Sequence, residues 1–380
     1  MYKRAAVLCT SAIAVAGLAI ASLASRPPAG RIRMYYISAD EVTWDYVPGA
    51  KNGITGEAYQ DSVYFAPIPN APTPKAVASA YRKVLYREYT DSTFATLKGR
   101  AKEWEHLGSL GPLIRAEVGD TIKVVFRNAG DRPYSMHPHG VFYNKDSEGA
   151  PYSDGTTAAS DKHDDGVPAG QKHLYVWAVP ERAGPGRMEG SSVMWMYHSH
   201  TDETRDVNTG LLGVMIVTAR GMANPDGSPK DVNHEIVAAF MQTHEEDSWL
   251  AAKNLPNYPR GGPGAPLANP SQAQNFYPYF VTFSINGFQH GSMPLDAITF
   301  KKNEHVRWYV MSSTNDFDFH SPHWHGNTVE IHGHRMDVTA IGAMEMVTAD
   351  MVPDDPGTWL FHCHISFHNA AGMAARYRVI

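Results

Sequence analysis

Short runs of alternating apolar and polar residues recur along the chain. The first, RIRMYYISADEVTWDYVP (31–48), mixes aromatic and β-branched residues with polar ones. Further runs are KVLYREYT, DTIKVVFRN, LYVWAVP, GVMIVTA, HEIVAAF, FVTFSING, HVRWYVMS, TVEIHGHRMDVTAI, TWLFHCH and ARYRVI. Gly, Pro, Asn and Asp separate them, and no long amphipathic helix pattern is present. The pattern predicts an all-β protein of antiparallel sandwiches or barrels.

Two motifs occur twice, in the same order. HPHGV (137–141) is repeated as HWHGN (323–327), and WMYHSHTDETRDVNTGLLG (from 195) as WLFHCHISFHNAAGM (from 359). The repeat predicts two homologous β domains, residues 32–221 and 231–380, with a seam near 220–231. Residues 254–275 are rich in Pro and Gly, which predicts a long surface loop.

The N-terminus has the pattern of an export signal. A basic segment, MYKR, precedes an apolar run of small residues that ends in a cleavage site at Ser22-Leu23-Ala24. We therefore expect residues 1–24 to be a signal peptide. A retained membrane anchor is the alternative, because about 20 apolar residues could span a bilayer. Either way, the rest of the chain is expected in an exported compartment, periplasmic or extracellular.

The composition fits a soluble globular protein, with 43% hydrophobic and 19% charged residues. The formal net charge is −6 and no long basic run is present, which argues against a nucleic acid partner. Of the two Cys, Cys9 lies in the predicted signal, so the mature chain would hold only Cys363 and no internal disulfide. An unpaired thiol is liable to oxidation, and a bound metal would protect it.

Four short motifs hold most of the candidate metal ligands. In a strand, residues i and i+2 point to the same face, so an H-x-H pair can present two imidazoles to one site. In HCH (362–364) the imidazoles share one face and the thiol points to the other, so one strand can contact two sites. The ten His of these motifs are His137, His139, His198, His200, His320, His323, His325, His362, His364 and His368.

A thiolate, two imidazoles and a weak axial Met form a blue-copper electron-transfer site. Cys363, His368 and Met373 have the spacing C-x4-H-x4-M, and a remote His must supply the second imidazole. His320 is the natural candidate, because it is the one His of its motif without a counterpart in the first half of the chain. Zinc competes for such donors, although structural zinc sites usually have two or more Cys. A buried thiol beside surface His is the remaining alternative.

These motifs resemble those of the multicopper oxidases, a family of cupredoxin-like Greek-key β domains. H-x-H-G, H-x-H, H-x-x-H-x-H and H-C-H-x3-H-x4-M all stand here unbroken. The resemblance implies four copper ions per subunit, namely one type 1 ion, one type 2 ion and a type 3 pair. The type 1 ligands would be His320, Cys363, His368 and Met373. The type 2 ligands would be His137 and His323. The type 3 ligands would be His139, His198, His200, His325, His362 and His364.

The wider chain is similar to the ceruloplasmin-like ferroxidases, in stretches such as YYISADEVTWDY, EHLGSLGPLIRAEVGDTIKVVFRN and SINGFQHG. Those proteins have six such domains, whereas two are predicted here. In the first domain Ser199, Thr204 and Tyr134 stand at the type 1 ligand positions. The resemblance therefore implies type 1 copper in the second domain alone, as in the two-domain oxidases that include the small laccases.

The resemblance also implies a homotrimer. The predicted cluster ligands divide evenly, with four His in each domain, and two-domain chains of the family close into a head-to-tail ring. Each cluster would then lie between the first domain of one subunit and the second domain of the next. A closed ring satisfies such a heterologous interface.

The implied reaction oxidises a reducing substrate at type 1 copper and reduces O2 to water at the trinuclear cluster. Cys363 would link the two centres through His362 and His364. Asp154, in YSDGT, resembles the acidic site that supplies protons in related oxidases, and a carboxylate is a plausible general acid. A turn Asp before Gly is the alternative.

The reducing substrate is left open between Fe2+, phenols, organic dyes and Cu+. THEEDSWL (243–250) resembles the acidic stretch near a type 1 site in ferroxidases and could hold Fe2+. TNDFDFH (314–320) adds two carboxylates. The candidate residues are Glu245, Glu246, Asp247, His244, Asp316 and Asp318. A solvated acidic loop is the alternative.

Two other functions share parts of this pattern. A copper nitrite reductase is also a two-domain trimer of this fold, but it keeps type 1 copper in the first domain and needs only a mononuclear type 2 site. A non-enzymatic copper-binding protein is the second rival. Such relatives tend to lose ligands, and the second domain here has lost none.

Overall fold

The computed structural model describes residues 30–59, 79–254, 281–313 and 318–380. The predicted signal peptide, Cys9, nearly all of the Pro/Gly-rich tract 254–275 and Asp316 lie outside these residues. The described residues form four β-sheets with a few short helices, so the predicted all-β class is confirmed. None of the described helices is long and apolar enough to cross a membrane.

Two sheets form what we call the first unit, residues 32–218. Their strand orders are β2-β1-β4-β6 and β3-β8-β7-β5. The strands are β1 Ile32–Asp45, β2 Ala80–Glu88, β3 Ile114–Glu117, β4 Thr121–Asn128, β5 His137–Pro138, β6 Lys172–Ala178, β7 Ser192–His198 and β8 Leu212–Thr218. The short helix α1, Glu203–Thr209, follows β7, and Asp202 caps it by accepting a hydrogen bond from Arg205 N.

Two further sheets form the second unit, residues 234–379. Their strand orders are β10-β9-β12-β16-β14-β15 and β11-β18-β17-β13. The strands are β9 His234–His244, β10 Val281–Ile285, β11 Thr299–Phe300, β12 Val306–Ser313, β13 Pro322–Trp324, β14 Val329–Ile331, β15 His334–Met336, β16 Met346–Met351, β17 Gly357–Cys363 and β18 Ala374–Val379. The helices α2 and α3 are Ala251–Asn254 and Ser366–Ala370.

Each unit has its own apolar core. In β4 every second residue is buried, as the alternation in TIKVVFRN predicts, and Val124 and Phe126 reach the first core. Trp308 and Trp324 are buried in the second core, where each large side chain contributes roughly 1.5–3 kcal/mol. A third core is rich in Met and joins residues of both units. Its buried Met are Met194, Met196, Met241 and Met311.

The two units repeat the same strand pairing at the His motifs. His137 in β5 lies opposite His198 in β7, and His323 in β13 lies opposite His362 in β17. Because both pairs are cross-strand neighbours, their side chains come close without any long-range adjustment. The duplicated motif order therefore reflects a duplicated local geometry.

One predicted strand is divided. TVEIHGHRMDVTAI folds into β14 and β15, an antiparallel hairpin, because His332 and Gly333 both adopt positive φ angles of 50° and 75°. Positive φ at two successive residues makes a tight hairpin turn, which Gly favours. The strands β3, β5, β7, β11, β13 and β16 had not been singled out as alternating runs, and most are short.

Candidate metal centres

Cys363, at the end of β17, lies beside two imidazoles in the interior of the second unit. Its Sγ is 3.6 Å from His368 Nδ1, in α3, and 4.0 Å from His320 Nδ1, just before β13. The two Nδ1 atoms are 3.2 Å apart. Met373, fully buried, accepts a hydrogen bond from Cys363 N at its backbone oxygen (3.1 Å). Three donors so placed can surround one ion.

The protonation states of the two imidazoles in this group are compatible with metal binding. Burial lowers the pKa of His320 to about 4 and also lowers the pKa of His368, so both imidazoles are neutral near pH 7. Burial raises the pKa of the Cys363 thiol. A coordinated thiol is deprotonated outright, and a His2Cys set suits a blue-copper ion. The donor set therefore fits copper.

Four His of the first unit, the first His set, gather at the β5–β7 pair. His139 Nε2 is 3.1 Å from His198 Nε2, and the ligand atoms of His137 lie within 4.8 Å of both. The ring centroid of His200 is 5.1 Å from that of His137. Burial lowers the pKa of His139 to about 4 and that of His198 to about 3. Neutral imidazoles are the form that binds metal ions.

Four His of the second unit, the second His set, gather at the β13–β17 pair. His325 Nε2 and His323 Nδ1 lie 3.1 Å and 3.3 Å from His362 Nε2. The ring centroid of His364 is 5.0 Å from that of His323. Burial lowers the pKa of His362 to about 4. Imidazole donors suit copper, so this set fits the metal as well.

Backbone carbonyls orient the imidazoles of both sets. His362 Nδ1 is 2.8 Å from the carbonyl oxygen of Cys363, and His198 Nδ1 is 3.1 Å from that of Ser199. His137 Nδ1 is 2.7 Å from the carbonyl oxygen of Glu148. Donation from Nδ1 leaves the Nε2 lone pair available to a metal.

Within the part of the chain that the structure describes, no imidazole ring of one His set contacts an imidazole ring of the other. The first His set contacts itself and Tyr143. The rings of the second set contact one another, and His323 Nε2 also lies 3.7 Å from Asp337 Oδ2. Each set is therefore half of the eight-His group that the motifs predict.

The acidic stretch after β9 divides into two parts. The ligand atoms of His244, Glu246 and Asp247 lie within 4.8 Å of one another, and His244 Nδ1 is 3.1 Å from Glu246 Oε1. Glu245 turns the other way and is fully buried, with its Oε1 2.6 Å from Lys83 Nζ. Of the predicted acidic residues, the structure therefore brings Glu246 and Asp247 together with His244 and keeps Glu245 apart.

Adjacent residues connect this acidic group to the Cys363 site. His244 Nε2 is 3.2 Å from Gln242 Nε2, and Gln242 pairs with Phe283 across β9 and β10. The Phe283 ring stacks on His368 at 4.8 Å. On another side of the same imidazole, Asp318 Oδ2 is 3.0 Å from His368 Nε2.

Asp154 pairs with a cation. Its Oδ1 accepts hydrogen bonds from Lys162 Nζ (2.8 Å) and from Thr156 Oγ1 (2.7 Å). The Lys162 and Thr156 hydrogen bonds hold the pKa of Asp154 well below its usual range. A general acid must carry a proton at the working pH. This geometry favours an ion-pair anchor, and the proton-donor role stays a prediction.

Two buried carboxylates near the first His set were missed by the sequence analysis. Asp164 accepts a hydrogen bond from Gly149 N (2.7 Å), and burial raises its pKa to about 6. Asp206 accepts one from Ser199 Oγ (2.5 Å), the residue between His198 and His200. The one indication of Asp206 in the sequence is its place inside the repeated motif that begins at residue 195.

Two family models, both described as multicopper oxidase, match residues 104–221 and 265–380. Hephaestin of Rattus norvegicus is 37% identical over 360 residues, covering 94% of this chain and 30% of hephaestin. Ferroxidase HEPHL1 of Homo sapiens is 37% identical over 352 residues (91% and 29%). Ceruloplasmin of Rattus norvegicus is 35% identical over 354 residues (92% and 31%). The chain spans about a third of the length of these curated relatives.

Among solved structures, a multicopper oxidase crystal structure aligns with a TM-score of 0.56 at 18% identity, covering 92% of this chain and 90% of that chain. The copper nitrite reductase from Nitrosomonas europaea aligns with a TM-score of 0.56 at 16% identity (92% and 94%). Likenesses at this identity show the fold alone. The fold defines a cupredoxin-like protein. Together with the two family models, it shows that the chain belongs to the multicopper oxidase family, whose members hold copper.

Proposed function

We propose that the protein is an exported oxidase that couples one-electron oxidation of a small reducing substrate to the four-electron reduction of O2 to water. The predicted signal in residues 1–24 is the basis for export. Each chain would hold four copper ions. The type 1 ligands are His320, Cys363, His368 and Met373. The type 2 ligands are His137 and His323. The type 3 ligands are His139, His198, His200, His325, His362 and His364.

One observation carries the proposal: adjacent residues of β17 face two different donor groups. The Cys363 thiol lies beside His320 and His368, while His362 lies 3.1 Å from His325 in the second His set. Bound copper would supply electron transfer at the first group and oxygen reduction at the second. The chain itself supplies a covalent link of one peptide unit between them, and carbonyl oxygens that fix the imidazole orientation.

Copper analysis and visible spectroscopy test this proposal. The purified, copper-loaded wild type should carry four coppers per chain and a blue absorption band. Cys363→Ser removes the thiolate of the type 1 site alone, so this variant should carry three coppers and no blue band. A colourless wild type, or one that holds a single copper ion, would contradict the assignment.

A homotrimer is part of the proposal, because each His set is half of a cluster. In a head-to-tail ring, the first His set of one subunit would meet the second His set of the next, and a closed ring leaves no set unmatched. Light scattering should give the mass of three chains for the copper-loaded protein. A monomer that retains all of its copper and its activity would exclude the ring.

Fe2+ is the donor that the described residues favour. His244, Glu246 and Asp247 offer one nitrogen and two carboxylate oxygens, which suit a divalent transition-metal ion. The family relative called ferroxidase HEPHL1 supports the same choice. Glu246→Gln should therefore raise the KM for Fe2+ about tenfold, because it removes a charged ligand, and leave the KM for an organic dye unchanged. An unchanged KM for Fe2+ would move the donor site elsewhere.

Nitrite reduction is the rival function, because the nitrite reductase fold is similar. That function needs one type 2 ion, whereas all eight His of a trinuclear cluster are present here. Copper-loaded protein given Fe2+ should consume O2, and given nitrite it should release no nitric oxide. Release of nitric oxide without O2 consumption would reverse the choice, and absence of both would favour a non-enzymatic copper protein.

A further inference from the structure

The first unit holds a hydrogen-bond network at the place that corresponds to the Cys363 site. Ser199 stands at the position of Cys363, and its Oγ donates to Asp206 Oδ2 at 2.5 Å. The backbone N of Asp202 donates to the same oxygen at 3.1 Å. Asp206 is only 1% exposed, so the hydrogen bonds that it accepts are strong constraints on its neighbours.

The other oxygen of Asp206 receives a hydrogen bond from the second unit. Trp249 Nε1 donates to Asp206 Oδ1 at 2.8 Å, and Trp249 N donates to Thr209 Oγ1 at 2.9 Å. The guanidinium groups of Arg132 and Arg205 lie over the Trp249 ring, at 4.1 Å and 4.4 Å from its centroid. Such cation–π contacts are attractive and fix the plane of the ring.

Trp249 and the acidic group lie in one short segment, residues 244–250, which begins at the last residue of β9. Two more anchors of this segment also come from the first unit. His244 N donates to Asn208 Oδ1 at 2.9 Å, and Glu245 is held by Lys83. The segment that carries the candidate donor ligands is therefore shaped by residues of the other unit.

We propose that Asp206 and Trp249 are positioning residues for the metal-ion donor. We call the hydrogen-bond network of Ser199, Asp206 and Trp249 the latch. It holds residues 244–247 so that His244 and Glu246 face a common point. The inference rests on the proposed oxidation of Fe2+ at this group. A latched segment binds an ion without first losing conformational entropy, so the latch strengthens binding of the metal donor.

The latch should distinguish metal ions from organic donors. An ion needs several ligand atoms fixed within a few tenths of an ångström, whereas a dye that delivers an electron to the Cys363 site does not use His244 or Glu246. Loss of the latch should therefore weaken the binding of Fe2+ and leave the reaction with organic donors unchanged. A residue with a merely structural role would affect both donors or neither.

Trp249→Phe tests the proposal, because it keeps an aromatic ring at this position and removes the indole N–H together with the smaller ring that carries it. In the copper-loaded trimer we expect the KM for Fe2+ to rise about tenfold, with kcat, the blue band and the KM for an organic dye unchanged. Zn2+ is a redox-inert probe of the same ligands, and calorimetry should show a similar loss of Zn2+ affinity. Asp206→Asn turns an NH2 group toward one of the donors that the carboxylate accepts from, so it should lower the Zn2+ affinity as well.

Trp44→Phe is the matched control. Trp44 Nε1 donates to the carbonyl oxygen of Gly287 at 2.7 Å and not to Asp206, so this variant makes the same change of side chain outside the latch and should keep the wild-type KM for Fe2+. An unchanged KM and Zn2+ affinity in Trp249→Phe would overturn the latch, as would an equal rise for the dye or the same effect in the control. If Glu246→Gln also leaves Fe2+ oxidation unchanged, the donor site itself is wrong. If only Glu246→Gln has an effect, the latch alone fails.

Discussion

Neighbouring residues of like chemistry have opposite environments in the segment after β9. Glu245 is buried against Lys83, and Tyr46 donates a hydrogen bond to it at 2.9 Å, whereas Glu246 lies with His244 in the candidate donor group. Both are acidic residues in the sequence, and they differ because their side chains point to opposite sides of the backbone. A carboxylate's neighbours, more than its motif, therefore decide its chemistry.

The same consideration applies to Asp154. Its ion pair with Lys162 keeps it ionised, so Asp154→Asn should lower the melting temperature, because it weakens that pair and the two Thr156 hydrogen bonds. The predicted proton-donor role also implies that type 1 reduction persists in this variant while turnover with O2 falls. Stopped-flow reduction and steady-state O2 consumption measure the two steps separately. Unchanged turnover would contradict the proton-donor role and leave Asp154 as an ion-pair anchor.

At the scale of elements, the His groups were predictable because their geometry is local. The alternation of side chains in a strand puts His362 on one face and Cys363 on the other, and the C-x4-H spacing lets α3 return His368 to the thiol. The latch was not predictable, because Asp206 and Trp249 are 43 residues apart and meet only through the packing of two units. The division of β14 from β15 depends on a turn at His332, which no alternation reveals.

Strand β2 is tied to the end of β9 by the Lys83–Glu245 pair, whose side chains are 3% and 0% exposed. Burial lowers the pKa of Lys83 and raises that of Glu245, because it disfavours both charges. Each buried charge therefore depends on the other to offset the loss of water. Lys83→Met should lower the free energy of unfolding by about 3–5 kcal/mol, because it leaves a buried carboxylate without its partner.

Urea unfolding measures this loss, and the double variant Lys83→Met with Glu245→Gln is the matched control. Removal of both charges should restore most of the stability, since no buried charge remains unpaired. Equal losses in the single and double variants would show that packing around the pair, and not its charge, holds the two strands together.

At the scale of the whole molecule, the buried guanidinium of Arg307 joins the two units by hydrogen bonds. Arg307, in β12, donates to Ser191 Oγ at 2.7 Å and to Ser192 Oγ at 2.8 Å in the first unit. The same guanidinium makes two hydrogen bonds with Asp350, at 2.7 Å and 2.9 Å. His305 Nε2 lies 3.2 Å from that carboxylate. The Arg307 contacts with Ser191 and Ser192 therefore help to fix the second unit against the first.

The contact between His305 and Asp350 predicts a pH dependence of the free energy of unfolding. The hydrogen bond with Asp350 raises the pKa of His305, so protonated His305 stabilises the folded state below the unfolded pKa of about 6.5. That contribution is lost as the pH rises through the folded pKa. His305→Gln should therefore lower the melting temperature more at pH 6 than at pH 9. An equal decrease at both values would show that the charge of His305 contributes nothing.

The ratio of Fe2+ oxidised to O2 consumed by the copper-loaded wild type decides whether the protein is a four-electron oxidase. An oxygen electrode and the absorbance of Fe3+ give both quantities in one reaction. We expect four Fe2+ oxidised for each O2, with no hydrogen peroxide formed, because four electrons reduce O2 to water. A ratio of two with peroxide, or Fe2+ oxidation at the uncatalysed rate, would contradict it.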